Sequence, residues 1–284
     1  MKRLYLPLVA AAACLVLIAA QNPDPPAVIQ IIRESIKEGR GPAHEKVETD
    51  YARAFRKNKF PFYYLALTSM TGPGEVWFVN AYPSFAAVEQ AEKEYQKAGI
   101  KGEIDLLDAR DGELRSGSRS MYAIYRKDLS YRPDLASVSK SRYFTIQSFR
   151  LKLGRMGDFM AGSKAINDSQ TKADLKVPAI AYQVVAGAPE GLFLFLSPME
   201  SLKTMDEFPS MEKAMADAMG AEKFQDLMKS TGDVFTTVET SFFSVSPKMS
   251  YVSKQTEDGD PAFWRPKVAV KPVPKSKPVE KSGQ

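Results

Sequence analysis

An α+β fold made of two tandem βαββαβ units packed sheet to sheet is what this sequence predicts, on three observations. Strand-like alternation and helix-like periodicity follow one another in the same order twice. Short motifs recur at an offset of 115–117 residues. The strand segments are apolar at both parities, so each sheet must be covered on two faces.

The first unit is placed at residues 27–132. Residues 28–36 alternate as a strand. Gly41-Pro42 then opens a helix with proline in its first turn. That helix sets His44, Val47, Tyr51, Ala54 and Phe55 on one face. Residues 62–68 and 75–81 read as strands around the turn Thr71-Gly72-Pro73-Gly74. Ser84 caps a helix carrying Phe85, Val88, Glu92 and Tyr95, which ends at Gly99. Residues 99–117 read as a polar loop, and 119–126 as a fourth strand. The order is that of a ferredoxin-like unit.

The second unit is placed at residues 141–252, after a linker at 133–140. Its strands are expected at 143–151, 179–185, 192–197 and 234–245, with helices at 155–173 and 201–229. Pro209 breaks the second helix and Ser210 caps its restart. Motifs tie the copies together. Ile31 to Arg40 (IIRESIKEGR) matches Ile146 to Arg155 (IQSFRLKLGR), and Leu129-Ser130-Tyr131 mirrors Met249-Ser250-Tyr251. Phe62 and Tyr64 alternate with Tyr63 and Leu65, so the natural cover for the second sheet face is the other sheet, with helices outside.

The ends differ from the body. Lys2 and Arg3 precede an apolar run to Ala20, which reads as a signal peptide over residues 1–20, cleaved after Ala20. An uncleaved membrane anchor and a lipid anchor at Cys14 are the alternatives. The expected location is periplasmic or secreted. Residues 261–284 alternate Lys and Pro and read as a disordered tail, able to rest on an anionic envelope surface or to act as a spacer. The formal charge of +5 resides in these ends. Lys2 and Arg3 carry two charges and Arg265 to Gln284 five net, so residues 21–264 sum to −2. A mildly acidic body argues against nucleic acid as partner. The one cysteine lies in the leader, so the body has no disulfide, thiol nucleophile or cysteine metal site.

The element order and the internal repeat resemble the dimeric α+β barrel superfamily, with both halves in one chain, over most of residues 27–252. Members include NIPSNAP-like proteins, cofactor-free antibiotic-biosynthesis-type monooxygenases, and haem-binding chlorite-dismutase-like and dye-decolourising peroxidases. The resemblance implies a ligand between a sheet and its helices or inside the barrel. It does not fix a function.

Candidate chemistry is sparse. There is no Gly-rich phosphate loop, Gly-x-Ser-x-Gly or His-Glu-x-x-His. His44 is the single histidine, read either as a haem ligand or general base or as a histidine with no ligand. The second copy has Phe159 at that place, so such a site exists in one half only. Tyr63, Trp77, Tyr122 and Tyr182 lie on strands, as pocket walls for a flat organic ligand or as packing. Lys37-Glu38-Gly39-Arg40 and Lys152-Leu153-Gly154-Arg155 read as solvated turns, with anion binding as the alternative. Asp105, Asp108, Asp111 and Glu113 read as a solvated loop, lacking the ligand series of a calcium loop. Met211, Met215 and Met219 form a helical stripe that fills core gaps.

No metal site is expected, no cofactor is assigned, and catalytic residues are unknown. The expected function is an exported protein binding a small apolar or aromatic ligand in the barrel. The alternatives are a monooxygenase-type or haem-dependent oxidoreductase, and an interaction protein acting through its basic tail.

Overall fold

The structure, a computed structural model, describes residues 24–265. The expected leader with Cys14, and residues 266–284 of the expected tail, lie outside the described residues.

The first half runs β1 (Val28–Ile36), α1 (Gly41–Lys57), β2 (Tyr64–Ser69), β3 (Glu75–Tyr82), α2 (Phe85–Tyr95), α3 (Ala98–Gly112) and β4 (Arg115–Tyr125). The second runs β5 (Tyr143–Leu151), α4 (Met156–Lys172), β6 (Ile180–Ala186), β7 (Leu192–Met199), α5 (Phe208–Met219), α6 (Ala221–Val234) and β8 (Phe235–Val245). Two short helices follow, α7 (Lys254–Gly259) and α8 (Pro261–Trp264). The expected α+β class holds. All pairings are antiparallel, and the eight strands close into one barrel in the order β1-β3-β2-β8-β5-β7-β6-β4. The halves thus meet along their edges, through β2–β8 and β4–β6, and closure leaves no free sheet edge.

Period-2 alternation divides each strand between two cores. Ile29 and Ile31, Leu67, Trp77, Met121, Ala123, Phe144, Ile146, Tyr182, Val184, Leu194, Leu196, Phe243 and Val245 fill the barrel interior. The opposite parity faces the helices. In the first half this outer layer holds Tyr64, Ala66, Val76 and Phe78 under Ala52 of α1. The barrel is therefore a packed core, and the open space lies outside it.

Local signals explain the element ends. Gly39 at φ +73° and Gly154 at φ +78° turn the chain out of β1 and β5. The Ser84 hydroxyl accepts from the Ala87 amide at 3.2 Å and caps α2.

Three expectations need correction. The loop expected at 99–117 is helix α3, because Ile100, Ile104, Leu107 and Asp111 form a buried stripe at helical spacing. The expected helix 201–229 is a 3-10 turn (Leu202–Glu207) followed by α5 and α6. Pro209 lies in the first turn of α5, and the break falls at Gly220, φ +96°. The tail expected from residue 261 starts with a packed helix. Trp264 is 5% exposed and its indole donates to the Ser139 carbonyl at 2.8 Å.

After β4 and β8 the chain crosses to the other half. Tyr131 bridges Ala179 before β6, and Tyr251 bridges Tyr64 of β2. Ser130 Oγ accepts from the Ala181 amide and Ser250 Oγ from the Ala66 amide, each at 2.9 Å. The Tyr131 hydroxyl donates to the Leu175 carbonyl and the Tyr251 hydroxyl to the Phe60 carbonyl, at 2.8 and 2.7 Å. Among the described residues, no helix is long and apolar enough to cross a membrane.

Candidate functional site

A cavity of about 570 Å³ lies between the outer face of the first-half sheet and helices α1, α2 and α3. Its floor comes from outward positions of β1 and β3, including Ile32, Phe78 and Asn80. Its walls include Phe55 of α1, Ala91 of α2 and Ile104 of α3. Such a space, apolar with a few convergent polar groups, is the usual form of a small-molecule site.

One end of the cavity is polar. Glu34, Glu48, Tyr51, Asp108 and Arg115 reach its lining. The Tyr51 hydroxyl donates a short hydrogen bond to Asp108 Oδ1. Burial, reinforced by the Asp108 acceptor, pushes the Tyr51 phenol well up from its usual range.

Behind that end lies a buried polar cluster. His44, near the start of α1, is 1% exposed, and its Nε2 stands 2.9 Å from Glu34 Oε2 of β1. The same nitrogen is 3.4 Å from Asp111 Oδ1 of α3 and 3.9 Å from Glu48 Oε1, one helical turn along α1. Arg115, the first residue of β4, donates to Glu34 Oε1 and reaches Asp111 Oδ2, with Nε at 3.2 Å. The bulge that displaces the β1–β4 register at Ser35/Ile36 sets Ile36 opposite Arg115, beside this cluster.

Three carboxyls therefore surround one imidazole, and two of them, Glu34 and Asp111, share the Arg115 guanidinium. Burial, followed by the Glu34 and Asp111 charges, holds the Glu48 carboxyl well above the carboxylate range. Burial, followed by Glu34, raises Asp111, against the opposing effect of His44 and Arg115. Burial works against the Arg115 charge, but Glu34 and Asp111 outweigh it and raise its pKa. Asp111, 1% exposed, keeps Oδ1 without a hydrogen-bond partner.

The second half provides an internal comparison. β1 and β5 correspond at an offset of 115, and Ile36 opposite Arg115 corresponds to Leu151 opposite Phe235 after the same bulge. Glu34, His44 and Arg115 therefore correspond to Phe149, Phe159 and Phe235. These three rings pack together, with centroids 5.2 Å apart for Phe149–Phe235 and 5.9 Å for Phe159–Phe235. The fold closes over this place with phenylalanine, so the charged set in the first half is not a requirement of the architecture.

The expected site residues separate. Tyr122 lines the cavity. Trp77 and Tyr182 point into the barrel core. There the Trp77 indole donates to Glu75 Oε2 at 2.8 Å, and the Tyr182 hydroxyl to the Pro26 carbonyl at 3.1 Å. Tyr63 precedes β2, 40% exposed, with its ring 5.1 Å from that of Tyr251. Of the acidic residues expected in a solvated loop, Asp105, Asp108 and Asp111 stand on α3 and Glu113 caps its end, and Asp111 is buried rather than solvated. Sequence reasoning missed Glu34, Glu48 and Arg115. For Glu34 and Arg115 the detectable signal was a charged residue in one half where the other has phenylalanine.

No family model matches the chain, and no curated protein matches it. Solved structures do resemble it. A candidate monooxygenase from Fusobacterium nucleatum superposes with a TM-score of 0.51 at 10% identity, over 78% of this chain and 93% of that one. An anthrone oxidase-like protein gives 0.50 at 12% identity, over 82% and 98%. A chlorite dismutase variant from Candidatus Nitrospira defluvii gives 0.48 at 8% identity, over 78% and 92%. At these identities the likeness establishes architecture alone. In its topology, and in its likeness to the first two of these structures, the chain has the fold of a dimeric α+β barrel, with both halves in one polypeptide.

Proposed function

We propose that this protein is an oxidoreductase of the monooxygenase type that takes a flat, largely apolar organic molecule into the first-half cavity. One observation carries the reading: a space of about 570 Å³, walled by Phe55, Phe60, Phe78, Tyr82 and Tyr122, with hydrogen-bonding groups gathered at one end. Aromatic walls favour a planar ring system. Carboxyls at the far end favour a ligand whose polar group donates hydrogen bonds, such as a phenol. The two structural relatives with the higher superposition, the candidate monooxygenase and the anthrone oxidase-like protein, support oxidation of such a molecule.

The barrel interior, where the ligand was first expected, is filled by side chains and does not support binding there. Haem ligation through His44 does not fit. The imidazole is 1% exposed, Nε2 faces Glu34, and His44 is not part of the cavity lining. Arg115 is the sole cation among the lining residues, against Glu34, Glu48, Glu89, Glu92 and Asp108, which disfavours the propionates of haem.

The test is thermal stabilisation by a panel of polycyclic phenols and anthrones, with oxygen uptake recorded on those that bind. Ala91→Trp sets an indole into the cavity from α2 and should abolish both signals by obstructing a planar ligand. Stabilisation that persists in Ala91→Trp, or a panel without a single binder, overturns the reading.

Export remains part of the proposal and rests on the leader sequence alone. The mature N-terminus of protein isolated from its native envelope tests it, and retention of residues 1–20 in a soluble cytoplasmic protein would oppose it. The tandem-repeat reading is supported by the shared element order and by the paired Ser130/Ser250 and Tyr131/Tyr251 contacts.

A further inference from the structure

We infer that Glu34, His44, Glu48 and Asp111 form a binding site for a divalent transition metal, Zn²⁺, Mn²⁺ or Fe²⁺, between β1, α1 and α3. One ligand atom from each of these four buried residues can be chosen so that all lie within 4.8 Å of one another. The distances from His44 Nε2 are 2.9 Å to Glu34, 3.4 Å to Asp111 and 3.9 Å to Glu48. Metal–ligand bonds of about 2.0–2.2 Å place tetrahedral ligand atoms roughly 3.3–3.6 Å apart. The three spacings from His44 Nε2 bracket that edge, so side-chain adjustments of about an ångström would gather the set around an ion.

Three independent features separate this set from an ordinary acidic cluster. The first is the orphan acceptor. Asp111 Oδ1 is aimed into the cluster with no hydrogen-bond partner, in a residue 1% exposed. A buried acceptor left unpaired costs about 1–3 kcal/mol, which a bound cation would offset.

The second is the division of labour between carboxylate oxygens. Arg115 takes Glu34 Oε1 and Asp111 Oδ2, leaving Glu34 Oε2 and Asp111 Oδ1 turned toward His44 Nε2. A positively charged group that holds the outer oxygens and orients the inner ones is what an outer-shell partner does at metal sites. With the three carboxyls ionised, Arg115 charged and the imidazole neutral as metal ligation requires, the cluster sums to −2, the complement of a divalent ion.

The third is the internal comparison. The second half fills the corresponding place with Phe149, Phe159 and Phe235, so stability alone does not call for charge there.

The donor set selects the metal class. One imidazole and three carboxylates suit zinc, manganese or ferrous iron, whereas an all-oxygen set would suit calcium or magnesium. Glu34 and Glu48 also line the cavity, so the bound ion faces it. The site does not depend on the organic-ligand reading, because its ligands are complete without one.

The chain's single histidine makes the experiment direct. The full chain, stripped with chelator, is titrated with Zn²⁺ alone while the His44 ring nitrogens are followed by long-range proton–nitrogen NMR and stoichiometry by calorimetry. We expect one Zn²⁺ per chain, a displacement of the Nε2 resonance, and at least a 100-fold weaker affinity in Asp111→Asn. Asp105→Asn, exposed on the same helix and paired with Lys101, should bind within a few-fold of the parent. Arg115→Met should weaken binding about 10–100-fold. Should Asp111→Asn fail to fold, the Nε2 displacement in the parent chain still decides. Ala91→Trp should keep full Zn²⁺ affinity, which separates this site from the cavity. An Nε2 resonance unmoved by millimolar Zn²⁺, or equal affinity in Asp111→Asn and the parent, overturns the assignment.

Discussion

Arg115→Met isolates the charge balance of the cluster. The change keeps much of the side chain's bulk but strips Glu34 and Asp111 of the guanidinium they share. Breaking a buried ion pair costs about 3–5 kcal/mol, chiefly by leaving a charge uncompensated. The Arg115 side chain is 26% exposed, so water replaces part of what is lost, and we expect roughly 2–3 kcal/mol. For a chain of this length that corresponds to a Tm lower by about 4–6 °C. The loss should come from stranded charge rather than packing, so Glu34→Gln, which removes one charge at constant shape, should return part of it. Urea unfolding of the parent, both single variants and the double variant, in chelator, measures the coupling. It should exceed about 1 kcal/mol in the direction of rescue. Strictly additive losses, or an Arg115→Met protein as stable as its parent, would refute the charge argument.

Further outcomes follow from other parts of the molecule. Burial lifts the Tyr82 and Tyr95 phenols to about 12. Between pH 10 and 12 the unfolded chain loses these protons and the folded one keeps them, so stability should fall as pH rises through that window. Tyr82→Phe should flatten the fall in alkaline urea titrations, and an unchanged slope would count against it. Gly187 sits at φ +85°, and a Cβ there would stand 2.1 Å from the Ser120 carbonyl oxygen, where β6 closes on β4. Gly187→Ala should therefore cost at least about 2 kcal/mol, and a neutral effect on Cm would show that the seam adjusts freely. Trp264→Ala should cost roughly 3–5 kcal/mol, because it empties a buried indole site and orphans the Ser139 carbonyl. A Tm within a degree of the parent would mean that α8 does not contribute to the core.

The strands were legible because alternation is a direct imprint of a two-faced sheet, and both parities of β2 proved to be covered, Leu67 by the barrel and Tyr64 by helix α1. Parity could separate Trp77 from Phe78 but not say which faced the helices, so the choice between pocket wall and packing stays open in the sequence for Trp77 and Tyr182, which belong to the barrel core. Helix α3 escaped notice because Gly99, Gly102 and Gly112 interrupt its sequence, and its buried stripe ends in an aspartate rather than an apolar residue. The cluster was harder still. Glu34, His44, Asp111 and Arg115 come from four elements, and only folding brings α3 and β4 against β1 and α1. Comparison of the two halves at Glu34 and Phe149 was the available clue, because a polar residue at a position otherwise aromatic is unfavourable unless something uses it.

Joining both barrel halves in one polypeptide has a consequence for how such a site can arise. In a symmetric pair of identical subunits every substitution appears twice, so the cost of burying a charged group would be incurred on both sides of the barrel. Here the second half holds Phe149, Phe159 and Phe235 as a packed aromatic group, while the first half carries Glu34, His44 and Arg115 at the corresponding place. A barrel whose two halves lie in one chain is thus free to carry charge on one side and aromatic packing on the other.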